Sequence, residues 1–167
     1  MDYEAGLEML KFFGADNRLV NHSVGVAGVA YELASKVNGH GVNPERVRVA
    51  GLLHDIGRTI GEPHEIYSGA ILMNMDKKLA GIVRQHGFLY EKMKLAGIVV
   101  PDLLPVQMEN KIVALADGYF GQRRMSLKER FDDIRERYQN DGMFVKAVDM
   151  AQGRFEQMER EIVRGKG

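Results

Sequence analysis

The chain contains no cysteine, which excludes a disulfide framework and any thiolate zinc finger and suits a reducing cytoplasm. It has no excess of either charge sign: 23 Lys and Arg balance 23 Asp and Glu. A global basic field for holding a nucleic-acid backbone is therefore absent, although a local phosphate-binding patch stays open. Long apolar runs are missing too, and the longest fall far short of the ~20 residues that span a bilayer. The first residues, MDYEAGLEML, are acidic and broken by Gly6, with no basic segment leading into an apolar run as in a secretory signal. There is no internal repeat, low-complexity tract or linker. The expectation is a soluble, cytoplasmic protein with no membrane partner and no extended nucleic-acid surface.

Present instead are 167 residues, 45% of them apolar, enough for one compact domain spanning 1–167. Apolar spacing is helical nearly throughout. Leu19, Val26, Val29, Ala30 and Leu33 form one stripe at three- and four-residue intervals. Asn43 and Pro44 read as a cap and first-turn proline for a helix carrying Val47, Ala50 and Leu53 toward His54. Pro63 starts a further short helix after the turn from Gly57 to Gly61. Asp76 caps a helix expected to run through Leu79, Ile82, Val83 and His86. A short helix around Tyr90 to Leu95 and a longer one from about Val106 to Phe120 follow. Ser126 and Glu129 form a capping box, and a last helix extends from about Gly142 to Val163. Only Ile98, Val99 and Val100 look strand-like, so the fold class is all-α. Gly25 and Gly28, three apart on one helix, are expected to let a neighbouring backbone approach. His40, flanked by glycines, reads as a surface residue, and the final helix as packing or an oligomer contact on one face, which leaves a homo-oligomer open.

Some His and Asp residues break the apolar pattern. His54-Asp55 ends the run Gly51-Leu52-Leu53, and Asp117 ends Ile112-Val113-Ala114-Leu115-Ala116. His86 follows Val83, Ile82 and Leu79 by three, four and seven residues, while His22 shares a face with Leu19, Val26 and Val29. A lone histidine on such a face is more often a core residue bonded to a carbonyl, and a single His-Asp doublet can be structural. The combination is harder to dismiss. A buried carboxylate without a partner costs several kcal/mol or stays protonated, and neither Asp55 nor Asp117 has a Lys or Arg within its own apolar run. A divalent metal would satisfy both carboxylates and several imidazoles at once.

His22, then His54-Asp55, then Asp117 resembles the H…HD…D signature of the HD-domain superfamily, whose fold is a compact helical bundle. Around the doublet, LLHDIGR looks like the HDIG subtype, and the run His64 to Leu72 resembles the segment that follows it. His86 matches a later family histidine, and Ala116-Asp117-Gly118-Tyr119 with Arg123-Arg124 matches the closing Asp and its downstream arginines. The resemblance covers about residues 17–130, with the helices of 126–163 expected to pack on that region. The chain looks like the small stand-alone HDIG proteins of archaea and bacteria. It is more loosely similar to bacterial HD proteins that hydrolyse diadenosine tetraphosphate.

Residue by residue, the resemblance implies that His22, His54, Asp55 and Asp117 bind one metal. His64 and His86 would complete a second site bridged by Asp55. Some binuclear relatives carry two consecutive histidines where this chain has His86-Gly87, so that second site is poorer in ligands and a single firmly held metal stays an option. Imidazole and carboxylate ligands suit Mn²⁺, Fe²⁺, Co²⁺, Ni²⁺, Zn²⁺ or Mg²⁺ without choosing among them. The implied activity is metal-dependent hydrolysis of a phosphate ester, a monoester or a diester, with a nucleotide or related small molecule as substrate. Asp55 and Arg58 are the candidate catalytic residues, and Arg58, Arg18, Arg123 and Arg124 the candidate phosphate contacts. Two other readings stand beside this one: a catalytically silent metal- or nucleotide-binding regulatory domain, and a metal-free helical interaction module.

Overall fold

The computed structural model describes residues 1–37 and 41–165. His40 lies outside them. Helix α1 (Tyr3–Phe12) is capped by Asp2, whose side chain accepts a hydrogen bond from the Ala5 N–H at 2.8 Å. Gly6, a poor helix former, hides this helix from the sequence pattern. It is buried where α1 crosses α3, and a Cβ there would come within 3.1 Å of Leu52.

Helix α2 (Asn17–Lys36) buries Val26, Val29, Ala30 and Leu33 of the expected stripe, together with Ala27 and Ala34. It packs along α3 (Pro44–Leu53), which starts at the Asn43 cap with Pro44 in its first turn. The small residues at this crossing are Ala27, Ala30 and Gly51, where a Cβ on Gly51 would lie 3.1 Å from the Ala27 Cα. Gly25 and Gly28 do not serve that purpose. Gly25 makes room for the Phe120 ring, 2.0 Å from an ideal Cβ, and Gly28 faces nothing within 4 Å.

A 3-10 turn (Ile56–Thr59) leads to α4 (His64–Met73), then α5 (Lys77–Val83) with its Asp76 cap. Helix α5 ends before His86, contrary to expectation. The His86 ring itself takes the Val83 carbonyl, Nδ1 to O 2.5 Å, and so stands at the helix end rather than on its face. Next come α6 (Leu89–Leu95), a 3-10 turn (Pro101–Leu103) and α7 (Met108–Gly118). The capping box of Ser126 and Glu129 is formed at the start of α8 (Leu127–Arg137), and α9 (Gly142–Ile162) closes the chain. The fold is all-α. Among the described residues Ile98 to Val100 form no strand, and the one β-bridge joins Phe120 to Arg124.

Helices α3 and α7 are central: Leu52, Leu53, Ile112, Val113 and Leu115 are fully buried. Helices α8 and α9 add Phe131, Val148, Phe155 and Met158 to the same core. Each such side chain contributes about 1.5–3 kcal/mol through burial. This core anchors the ends of α3 and α7, where the polar exceptions lie. No described helix is long and apolar enough to cross a membrane.

Candidate metal centre

Six side chains from five helical segments meet at one end of the bundle. His22 lies on α2, His54 and Asp55 end α3, His64 opens α4, His86 follows α5, and Asp117 is in the last turn of α7. All but His54 line a cleft of about 850 Å³, and His54 is wholly enclosed beneath it.

Backbone carbonyls orient three of the rings. His22 Nδ1 is 2.8 Å from the Gly121 oxygen, and His54 Nδ1 is 2.7 Å from that of Gly51; His86 is held by Val83 in the same way. A carbonyl only accepts, so each ring donates its Nδ1–H and a neutral ring turns an Nε2 lone pair toward the cleft. The Nε2 atoms of His22 and His54 are 3.2 Å apart. His22 Nε2 is 3.3 Å from Asp117 Oδ1 and 3.6 Å from Asp55 Oδ2, while His86 Nε2 is 3.3 Å from Asp55 Oδ1. Lone pairs that face one another at these distances repel unless a proton or a metal ion lies between them.

The electrostatics make the same demand. Burial pushes the Asp55 carboxyl upward, but His54, Arg58 and His64 outweigh it and hold the group well below the usual carboxylate range. For Asp117, burial is likewise overcome by His22 and His54. Burial dominates at His54 and lowers it. At His22, burial is outweighed by Asp117 and Asp55, and the ring is raised. His64 is pushed up to about 10, because Asp55 and Glu62 overcome its burial. The carboxylates thus hold His22 and His64 toward the charged form, whereas burial holds His54 toward the neutral one. Four sets of ligand atoms, His22/His54/Asp55, His54/His86/Asp117, Asp55/His64/His86 and Glu62/His64/Glu65, each converge within 4.8 Å. Among the described residues Asp55 Oδ1 and His86 Nε2 are buried without a hydrogen-bond partner. Imidazoles and carboxylates with such unmatched lone pairs fit a divalent cation.

Local packing places the second half of the cluster. A Cβ on Gly57 would lie 2.2 Å from the His64 carbonyl oxygen, so this glycine lets the 3-10 turn lie directly on the start of α4. The Ser68 hydroxyl accepts from the Gly57 N–H at 2.9 Å and locks that contact. His64 Nε2 thereby comes to 3.1 Å from Asp55 Oδ1, with its Nδ1 2.9 Å from the Glu62 carboxylate.

The arginines separate into three groups. Arg58 donates from Nε to Asp55 Oδ2 at 2.6 Å and lies at the mouth of the cleft. Arg18 and Arg123 are exposed on its rim. Arg124 does not line it: its guanidinium donates to Glu32 on α2 at 2.6 Å, which draws it to another surface. The sequence pattern missed Arg130, a buried residue of α8 whose Nη2 is 3.8 Å from Asp117 Oδ1. It supplies the cation that the apolar run of Asp117 lacks. Its signal was invisible because it lies 13 residues away on another helix. Glu65, 3% exposed, was also missed beside its ligand-type neighbour His64. Among the described residues, neither 1–13 nor 145–165 forms part of the cleft wall. Gly87, Phe88 and Lys92 do, with the α1–α2 connection and the stretch from Gly121 to Phe144.

Comparison with known proteins agrees with this construction. The HD domain family model matches residues 19–120. An uncharacterized protein of Methanocaldococcus jannaschii is 38% identical over 149 residues, covering 83% of this chain and 85% of that protein. The tRNA (cytidine(56)-2'-O)-methyltransferase of Thermoplasma volcanium is 32% identical over 144 residues; the match takes in 81% of this chain but only 42% of the methyltransferase. Among solved structures, the HD domain of the L. monocytogenes phosphodiesterase PgpH, in complex with cyclic-di-AMP, superposes with a TM-score of 0.50 at 19% identity, over 98% of this chain and 99% of that one. At that identity the likeness speaks for the fold. The all-helical bundle, the His and Asp cluster at its end and the family match lead to one statement: this chain belongs to the HD domain family.

Proposed function

We propose that this chain is a metal-dependent phosphohydrolase of the HDIG subtype, acting in the cytoplasm on a small phosphate ester of nucleotide type, with residues 1–167 forming one HD domain. The observation that carries this reading is the set of imidazole Nε2 atoms and carboxylate oxygens that face one another at 3.2–3.7 Å. His22, His54, Asp55 and Asp117 would hold one divalent ion. Asp55, His64 and His86 would hold a second. A bound divalent ion supplies hydroxide at neutral pH and polarises a phosphoryl oxygen.

The chain's own residues do the rest. Three backbone carbonyls fix the tautomer and orientation of the His22, His54 and His86 rings. Arg58, a side chain 41% exposed, holds Asp55 through Nε, while its Nη1 and Nη2 lie 3.4 Å from Glu62 and 3.1 Å from His64; exchanging the long Glu62 contact would let Nη1 bind a phosphoryl oxygen. Arg130 neutralises Asp117 and stiffens the opposite wall. Arg18 and Arg123 attract an anionic substrate from the rim. Phe88, Tyr138 and Phe144 give the far wall aromatic faces of the kind that stack on a base, and Phe144 stands 4.6 Å from Tyr138, ring centre to ring centre. The cyclic-di-AMP of the PgpH structure, bound in a domain of this fold, is in keeping with that choice of substrate.

The test is hydrolysis of a general phosphomonoester and a general phosphodiester with Mn²⁺, Ni²⁺, Co²⁺ or Mg²⁺ added in turn, wild type against Asp55→Ala. We expect metal-dependent turnover that Asp55→Ala reduces by at least about 1,000-fold, because Asp55 serves both metal sites. Metal-loaded wild type without turnover on either ester would support the silent regulatory domain instead. Wild type that binds no metal would overturn the reading.

A further inference from the structure

We propose that Glu65 is a ligand of the second metal site, where it takes the space that a side chain at position 87 would fill. This rests on the metal reading above. Three buried side-chain atoms on the cleft carry lone pairs of ligand type and have no hydrogen-bond partner among the described residues: Asp55 Oδ1, His86 Nε2 and Glu65 Oε2. The first two already belong to the second site. Glu65 is the third, a carboxylate 3% exposed. His64 Nδ1 lies 3.5 Å from it but is bonded more closely to Glu62, at 2.9 Å. A buried polar oxygen left without a partner is costly, and a cation is one remedy.

Gly87 explains why the carboxylate is there. An ideal Cβ on that residue would stand 2.4 Å from Glu65 Oε1, so the Glu65 side chain and any side chain at 87 exclude each other. The backbone of Gly87 has no positive φ, so other residues could adopt its conformation. The glycine is needed for room. The carboxylate thus lies against residues adjoining both histidines of the site: it neighbours His64 in sequence and touches the residue after His86. A donor set of two imidazoles and two carboxylates is harder than one of three imidazoles and shifts preference toward Mn²⁺.

The experiment is titration of chelator-treated full-length protein with Mn²⁺ by calorimetry, with metal content after gel filtration as a second readout. Wild type should take up two equivalents. Glu65→Gln should keep the first with unchanged affinity and weaken the second by about 100-fold, at or above the upper end of what losing an outer-shell partner costs. Gly87→Ala keeps the carboxylate but displaces it, and should weaken the same equivalent; it decides the matter alone if Glu65→Gln does not fold. Glu65→Ala with Gly87→His should restore two equivalents with less preference for Mn²⁺. Two unchanged equivalents in Glu65→Gln, or one equivalent in wild type, would overturn the role of Glu65 and leave the hydrolase reading standing. No bound Mn²⁺ in wild type would overturn both.

Discussion

The two halves of the ligand cluster are built differently. Around His22 and His54, the rings are fixed by main-chain carbonyls, and His54 is fully enclosed. Around His64 and Glu65, orientation depends on side chains: His64 leans on Glu62, which is 57% exposed, and Glu65 Oε2 leans on nothing. His86 belongs to the second half but is anchored like the first. Main-chain partners move only if the fold moves, whereas a surface carboxylate can turn away. The first half is thus pre-organised for a cation, and the second is adjustable.

That contrast can be broken from either side. The largest effect is expected from His54→Ala, which removes a buried candidate ligand from the rigid half. First-equivalent Mn²⁺ affinity should fall by more than about 100-fold, beyond the range for outer-shell partners, as read by calorimetry. Glu62→Gln should act only on the adjustable half. By withdrawing the charged partner of His64 Nδ1 it should weaken the second equivalent about 10-fold and leave the first alone. Equal weakening of both equivalents would show that the halves are one unit.

The smallest effect concerns the surface pair of Arg124 and Glu32, outside both halves. Arg124, with Lys36, holds the Glu32 carboxyl down to about 2 from its ordinary 4.5. A depressed carboxylate stabilises the folded chain above its unfolded value, and that stabilisation drains away as pH falls from 4.5 toward 2. Glu32→Gln should therefore flatten the acid-unfolding curve in that window. At neutral pH it should cost well under about 1 kcal/mol, since the pair is solvent-screened. Metal binding should not change.

Much of this was readable in the order of residues. The caps at Asn43, Asp76 and Ser126 are local hydrogen-bond devices spanning two or three residues, and each starts a helix where expected. His54, Asp55 and Asp117 stood out because charge inside an apolar run is costly wherever the run packs. Helix α1 was hidden because Gly6 trades helix propensity for a close approach to Leu52, a contact 46 positions away. Gly25 misled for a similar reason, since its neighbour is the ring of Phe120 and not a backbone.

By itself, then, the sequence determined the helical class, the capped helix starts after α1 and the His and Asp residues that break its apolar runs. Periodicity and capping act within about one helical turn, and the cost of a buried charge belongs to the residue itself. Only the tertiary structure decided which of those residues face one another, that Arg130 and not Arg124 stands beside Asp117, and that Glu65 fills the gap at Gly87. Such contacts join positions as distant as His22 and Gly121, 99 residues apart, and follow from how whole helices pack rather than from any local pattern.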